Sequence, residues 1–247
     1  MTRIIILIFI SSLFITGNFA QVSNIGNIIN AYAEVLNYDA CNNKLTVSDA
    51  SAYKTGDTVL LIQMKGAIID TGNSASFGKI LGYRSAGYYE INYVKQKTGN
   101  DIFLTNIPIH SFNVPDGQVQ LIRVPYYVNA NITSTLKCKA WNGKTGGVAA
   151  LIVQNTLELN NAIDVSGLGF TGGSGKNKFR DGVFCFNADY YDTPAQTNDQ
   201  AAEKGESFTQ TSYGKTGGRG AYASGGGGGQ LHNSGGGGGA NGGSGGK

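Results

Sequence analysis

Three glycine–lysine pairs in this sequence invite a test for phosphate chemistry: Gly143-Lys144-Thr145, Gly175-Lys176-Asn177 and Gly214-Lys215-Thr216. A phosphate loop has the form G-x-x-x-x-G-K-[ST], so that backbone amides curl round the phosphates while the lysine reaches them. The position of the leading glycine is held by Cys138, Phe170 and Thr209 respectively. None of the three fragments stands between a strand and a helix, and no nucleotide site is read.

Acid–base chemistry fares no better. A Ser–His–Asp triad would have to use His110, which precedes a turn, or His232, which lies in a glycine run that cannot hold a base rigidly. Carboxylates concentrate in residues 174–213, at Asp181, Asp189, Asp192, Asp199, Glu203 and Glu206. Glycosidases set two carboxylates across the scissile bond, but nothing in the spacing fixes such a pair. Asp189 and Asp192 are oxygen ligands of the kind calcium takes. The glycine tracts after Gly214 contain no acid, so repeated calcium loops are excluded there. Cys41, Cys138 and Cys185 form no C-x-x-C, which argues against zinc. Any one pair could form a disulfide, and spacing does not choose among them. No catalytic residue, cofactor or metal site is expected.

Tyrosines give the remaining candidates. Tyr83, Tyr88, Tyr89 and Tyr93 cluster around Arg84–Gly87, and Tyr190 and Tyr191 lie in the acidic stretch with Phe179, Phe184 and Phe186. Such rings either cap a small core from a strand face or stack against sugars. Tyr88, Tyr89, Tyr190 and Tyr191 are the candidate ligand contacts.

The elements that must position these rings are strands. Alternating and β-branched runs recur from Ala33 to Val124, separated by turn formers such as Asn42-Asn43, Thr98-Gly99-Asn100 and Pro115-Asp116-Gly117. Thr58–Met64 is apolar on both faces in its inner part and is expected to be central and buried. From Val148 to Val165 three runs follow one another, Val148–Val153, Thr156–Leu159 and Ala162–Val165. The steps Gln154-Asn155 and Asn160-Asn161 suit hairpin turns or the corners of a β-solenoid. The loose likeness of the runs and the glycines that follow favour the solenoid. Beyond Gly214 the chain is about half glycine. Such a tract is either a flexible linker or a set of laterally packed extended strands.

Composition sets the frame. The chain has 247 residues, of which 38 are Gly, and only 14% are charged, with a net charge of +3. Soluble domains carry about 25% charged residues, and here the glycines make up the difference; acids and bases are interleaved, without the clustered basic face that nucleic-acid binders carry. Residues 1–20 read as a secretory signal peptide, with Arg3 ahead of the apolar Ile4–Ile15 and Ala20 as a cleavage residue. No later run is long enough to span a bilayer as a helix.

The segments GDTVLLIQMKGA (56–67), SAGYYEINYV (85–94), VQLIRVPYY (119–127), WNGKTGGVAALIV (141–153) and LELNNAIDVSGLGFTGG (157–173), followed by glycine tracts, resemble the N-terminal region of large secreted adhesin-like surface proteins of Bacteroidetes. Those proteins often end in a gliding-motility-associated C-terminal domain of type IX secretion substrates. The resemblance covers residues 30–247. It implies export to the surface or medium and a role in adhesion or envelope structure, and it brings no functional residues with it. The sequence has no such sorting domain, so it is expected to be the front part of a longer chain.

The expected protein is all-β. Residues 21–32 are a leader and 33–125 a small antiparallel barrel or sandwich. Residues 126–247 form a glycine-rich, β-solenoid-like region with a polar insertion at 174–213. The expected role is structural or adhesive, with an extracellular polysaccharide or protein as partner and no nucleic acid. The alternative is a carbohydrate-binding or carbohydrate-cleaving module.

Overall fold

A computed structural model describes residues 21–175, 190–194, 201–214, 216–229 and 235–239. The signal-peptide stretch, Cys185, His232, Asp181, Asp189 and Asp199 lie outside the described residues.

The barrel forms where the alternation is cleanest. Strands β2 (Ala31–Asp39), β3 (Lys44–Val47), β4 (Thr58–Gln63), β7 (Tyr89–Thr98), β8 (Asp101–Leu104) and β9 (Val119–Arg123) close in the order β2-β3-β8-β7-β4-β9, every pair antiparallel. Between β4 and β7 a small β5–β6 pair (Ile68–Ile69 and Ile80–Gly82) forms outside the barrel. Alternate residues point inward: Val59 and Leu61 of β4, Leu45 and Val47 of β3 and Val119 and Leu121 of β9 all reach the interior. Tyr53 is buried there too, its hydroxyl donating to the Leu121 carbonyl at 2.6 Å. Closure removes the free edges that an open sheet of these strands would expose.

Residues 21–32, read from sequence as a leader, contain a strand. β1 (Val22–Ile28) pairs in parallel with β10 (Tyr126–Lys137), and β10 pairs in parallel with β11 (Ile152–Leu159). The barrel is therefore inserted between two neighbouring strands of a parallel sheet. Asn30 clamps the neck. Its amide donates to the carbonyls of Arg123 (3.0 Å) and Ala150 (2.6 Å), and its oxygen accepts from the Ala150 N–H (3.1 Å).

The three runs after Val148 are not three strands. Gln154-Asn155 lies inside β11, so it is neither a hairpin turn nor a corner. Of the third run, Ile163 makes an isolated parallel bridge to Leu136. Asn tolerates turn geometry, but here a twelve-residue β10 offers a continuous ladder, and pairing with it wins over the local preference. The parallel register puts Ile25, Ile132 and Leu159 in one column and Ala130 beneath Leu157. Val148–Leu151 leave the sheet and run into the joint. Val148, Ala150 and Ile152 pack on Leu60 and Ile122, on the barrel's outer wall, while Ala149, Leu151 and Val153 pack on Ile25, Ile132 and Leu136. A run apolar on both faces is what a segment sandwiched between two cores requires. Tyr32 pins its start, donating to the Val148 carbonyl at 2.6 Å, and burial pushes that phenol up to about 12.

The glycine-rich part that is described is laterally packed extended chain. Along residues 202–206 consecutive N–H groups address three different neighbours in rotation. Ala202 and Gly205 donate to Gly229 and Gly226, Glu203 and Glu206 to Ser174 and Thr171, and Lys204 to Thr216, at 2.8 to 3.1 Å. A strand would alternate between two neighbours. A cycle of three is the signature of an extended helix with three residues per turn, here bonded sideways to other segments. Side chains cannot fit between them: a Cβ on Gly228 would lie 2.0 Å from the Ala202 carbonyl oxygen, and one on Gly226 2.2 Å from that of Gly237. No helix among the described residues is long and apolar enough to cross a membrane.

Candidate functional site

β7 is an interior strand of the barrel with an unusual outer face. Its inward residues Asn92 and Val94 are buried, while Tyr89, Ile91 and Tyr93 are 63%, 53% and 47% exposed. Next to them on β4, Leu60 and Ile62 also face outward, but Val148, Ala150 and Ile152 roof them over. The roof stops at β4. On the other side of β7 the chain leaving β8 runs alongside, and there Ile107 and Ile109 are 72% and 90% exposed.

This surface rests on buried and half-buried polar groups. The Asn92 amide donates to the Asn106 carbonyl (2.8 Å), and its oxygen accepts from Asn106 N (3.1 Å) and Tyr93 N (2.8 Å). The Glu90 carboxylate accepts the N–H groups of Ile109 (2.9 Å) and His110. Gln63, fully buried, donates to the carbonyls of Lys65 (2.7 Å) and Arg84 (2.8 Å) and accepts from Asn113 N (2.8 Å). Each of these groups holds a loop that the sequence places far from it. The loops are fixed while their apolar side chains are left in water.

The turn from Tyr83 to Tyr88 carries backbone strain. Arg84 and Ser85 have φ of 44° and 64°, which L-residues adopt at a cost. Such strain persists where surrounding contacts over-determine it, and it concentrates at functional sites. Here the Gln63 side chain and backbone hold the turn from beneath. The Tyr88 ring lies 4.5 Å from the His110 ring, and Tyr83 stacks on Phe208 at 6.2 Å. His110 thus serves as a neighbour of Tyr88, with its backbone committed to Glu90.

The four tyrosines singled out from sequence divide into two pairs. Tyr88 and Tyr89 belong to the β7 surface. Tyr190 and Tyr191 are tied into another cluster. The Arg219 guanidinium sits 3.7 Å from the Tyr191 ring centre, the Arg219 and Gly220 N–H groups donate to the two tyrosine carbonyls, and Tyr191 packs with Ile69, Phe77 and Tyr222. Beside this cluster β12 (Thr193–Pro194) pairs with β13 (Thr216–Gly217). The described acids of the insertion are structural as well. Asp192 accepts from Thr216 Oγ1 and lies 3.6 Å from Lys204 Nζ. Lys204 has no solvent-exposed side chain, lies over the Phe77 ring and donates to the carbonyls of Tyr191 and Gly218. Burial pulls its ammonium down to about 8 against the opposing pull of Asp192.

Glu206 is the hub that sequence reasoning missed. Its carboxylate takes Lys65 Nζ at 2.6 Å, Trp141 Nε1 at 2.9 Å, and Thr171 N and Oγ1 at 3.0 and 2.7 Å. It joins the barrel's Lys65 loop to the segments at 141 and 171. No group of three or more His, Cys, Asp or Glu is gathered among the described residues. Cys41 is exposed, Cys138 is buried, and they are not bonded to each other. Around β7 the described residues form a fixed, partly aromatic face that is exposed to solvent.

No known family model matches the sequence, and a search of curated proteins gives no match. Among solved structures, the chain is similar to the Gp54 tailspike of Acinetobacter baumannii bacteriophage AP22, solved in complex with A. baumannii capsular saccharide. The likeness has 15% identity and a TM-score of 0.30, and covers 52% of this chain and 20% of the tailspike.

Proposed function

We propose that this chain is an exported, non-catalytic module of a cell-surface protein, with a structural and adhesive role. One observation carries the reading: the Tyr89–Ile91–Tyr93 face stays in water although Gln63, Asn92 and Glu90 fix the backbone around it. A rigid apolar face that its own fold does not cover marks a contact surface. The parallel β1-β10-β11 sheet and the glycine packing serve as the support, and the sheet is read as the first rungs of a solenoid stalk. The signal-peptide pattern of residues 1–20 supports export.

The test is a glycan and cell-envelope array probed with the protein and with variants replacing Tyr88, Tyr89, Tyr190 and Tyr191 by Ala in turn. Binding is expected to fall with Tyr88→Ala and Tyr89→Ala and to persist with Tyr190→Ala. Retention unaffected by the β7 tyrosines would remove the contact surface from this reading, and release of oligosaccharides from the array would make the module an enzyme.

A further inference from the structure

Around the β7 face the charges are unbalanced. Between Tyr83 and His110 the chain carries the acids Glu90 and Asp101, and both are engaged. Glu90 accepts two backbone N–H groups from the opposite side of β7, and Asp101 takes Lys44 Nζ at 3.1 Å and Thr46 Oγ1 at 2.6 Å. Arg84 and Lys95 are exposed, and neither side chain has a hydrogen-bond or ion-pair partner among the described residues. They stand at the two ends of the strip. Arg84 sits in the strained turn that feeds Tyr88 and Tyr89, and Lys95 is the extra residue of the bulge that follows Tyr93 and Val94. With a strand rise of about 3.3 Å per residue, Tyr89 and Tyr93 are about 13 Å apart.

We infer that this face takes an acidic polysaccharide, its sugar rings lying on Tyr89 and Tyr93 and its carboxylate or sulfate groups meeting Arg84 and Lys95. This rests on the adhesive reading of the same surface and names its ligand class. The geometry sets the choice of occupant. Along Tyr89–Tyr93 β7 is paired with β4 on one edge, and the other edge is occupied by the chain from Thr105 to His110, which is bonded to Tyr93, Asn92 and Glu90, so a partner strand finds no open edge there. At about 10 Å wide, a strip about 13 Å long covers on the order of 130 Å², short of the roughly 800 Å² per side that a stable protein interface covers. A linear polymer needs only a row of rings with hydroxyl tips, because it gains affinity by repeating the contact. The free cations then supply the charge that a neutral polymer would leave unused.

The experiment measures retention of the full chain on alginate, hyaluronate and polygalacturonate, each beside its carboxyl-reduced counterpart, with thermal melting to confirm that every variant is folded. An acidic polymer is expected to bind about tenfold more tightly than its reduced form, and the Arg84→Gln/Lys95→Gln double variant to lose that preference, as charge-assisted hydrogen bonds are lost. Raising the salt to about 0.5 M should weaken acidic binding in the same way. Equal retention of acidic and reduced polymers, still dependent on Tyr89 and Tyr93, would overturn the acidic ligand and leave the adhesive reading standing. Capture of proteins alone would overturn it too. No retention on any polymer, with the Tyr89→Ala/Tyr93→Ala variant adhering to cell envelopes as well as the parent chain does, would overturn both.

Discussion

Replacing Glu206 by Gln removes one charge and no volume, and the hub it occupies makes the consequence calculable. Burial alone would raise this carboxyl. The Lys65 ammonium, the Thr171 N–H and hydroxyl and the Trp141 indole outweigh burial and bring it from 4.5 down to about 2. A depression of about 2.5 pH units corresponds to roughly 3 kcal/mol of stability. Because the folded chain gives up this proton more readily than the unfolded one, that contribution is complete above about pH 4.5. It is lost as the pH falls towards about 2. The carboxylate side chain is only 20% exposed, so solvent screening takes little from the figure.

Trp141 makes the assay direct. It is the single tryptophan of the chain and donates to Glu206, so its fluorescence reports on the hub itself. Urea unfolding followed at this signal, at half-unit steps from pH 7 to pH 2, should place Glu206→Gln about 3 kcal/mol below the parent at pH 7. The two curves should converge as the pH approaches 2. Lys65→Met should flatten the parent's acid slope in the same window, since it removes the nearest cation. Parallel pH curves for parent and Glu206→Gln, with a constant gap or none, would refute the reasoning. The carboxyl would then titrate alike in the folded and unfolded chains.

Lys204 slopes the same way in a different window. Burial lowers its folded pKa from 10.5 to about 8, so parent stability should rise by roughly 3 kcal/mol between pH 8 and pH 10.5, and Lys204→Met should show a flatter profile in the same urea titration. Gly228→Ala, which drives a Cβ to 2.0 Å from the Ala202 carbonyl oxygen, should cost about 1–3 kcal/mol or more, whereas Gly175→Ala, with nothing within 4 Å, should be near neutral; equal melting temperatures would contradict the packed-chain geometry. Gln63→Leu should cost about 1–3 kcal/mol for each backbone group it strands, and should speed amide exchange at Asn113. Leu159, 65% exposed on the edge strand β11 above the buried Ile132, should tolerate Lys, and Leu159→Lys should slow aggregation measured by light scattering.

How far these features could be read in advance depended on where each residue's partner lay. The barrel was legible because β3 and β8 alternate within themselves, β4 reads as a central run apolar on both faces, and turn formers separate the runs locally. β1 was not, because VSNIGNI shows no apolar period: only Ile25 reaches a core, and its partner Ile132 comes after the whole barrel. The Gln154-Asn155 step misled for the converse reason, since a local turn preference was weighed without the β10 ladder that overrides it. Tyr88 and Tyr89 were found by clustering, but the groups that hold their surface out, Gln63, Asn92 and Glu90, act on loop backbones that no spacing connects to them. The glycine tracts left two readings open because glycine permits both. What decides between them is supplied by another segment, 202–206, whose Ala202 and Gly205 N–H groups, three residues apart, donate to Gly229 and Gly226.

The insertion of the barrel between β1 and β10 links these observations to the proposed role. Both connections of the barrel leave it at the same place, where the Asn30 side chain bonds the end of β9 and the Val148–Val153 segment together. That segment presents one face to the barrel wall and the other to the parallel sheet. The Lys65–Glu206 pair fastens the barrel a second time, to the glycine-packed part. A barrel held at both places has little freedom to turn on its neck, so the β7 face keeps a fixed direction relative to the sheet. An adhesive surface gains from that restraint, because orientation fixed before contact is entropy that binding need not remove. The same covering explains which face is left over. The roof of Val148, Ala150 and Ile152 takes the outer wall at β4 and β9, and the strip on β7 is the adjacent part of the wall that this roof does not reach.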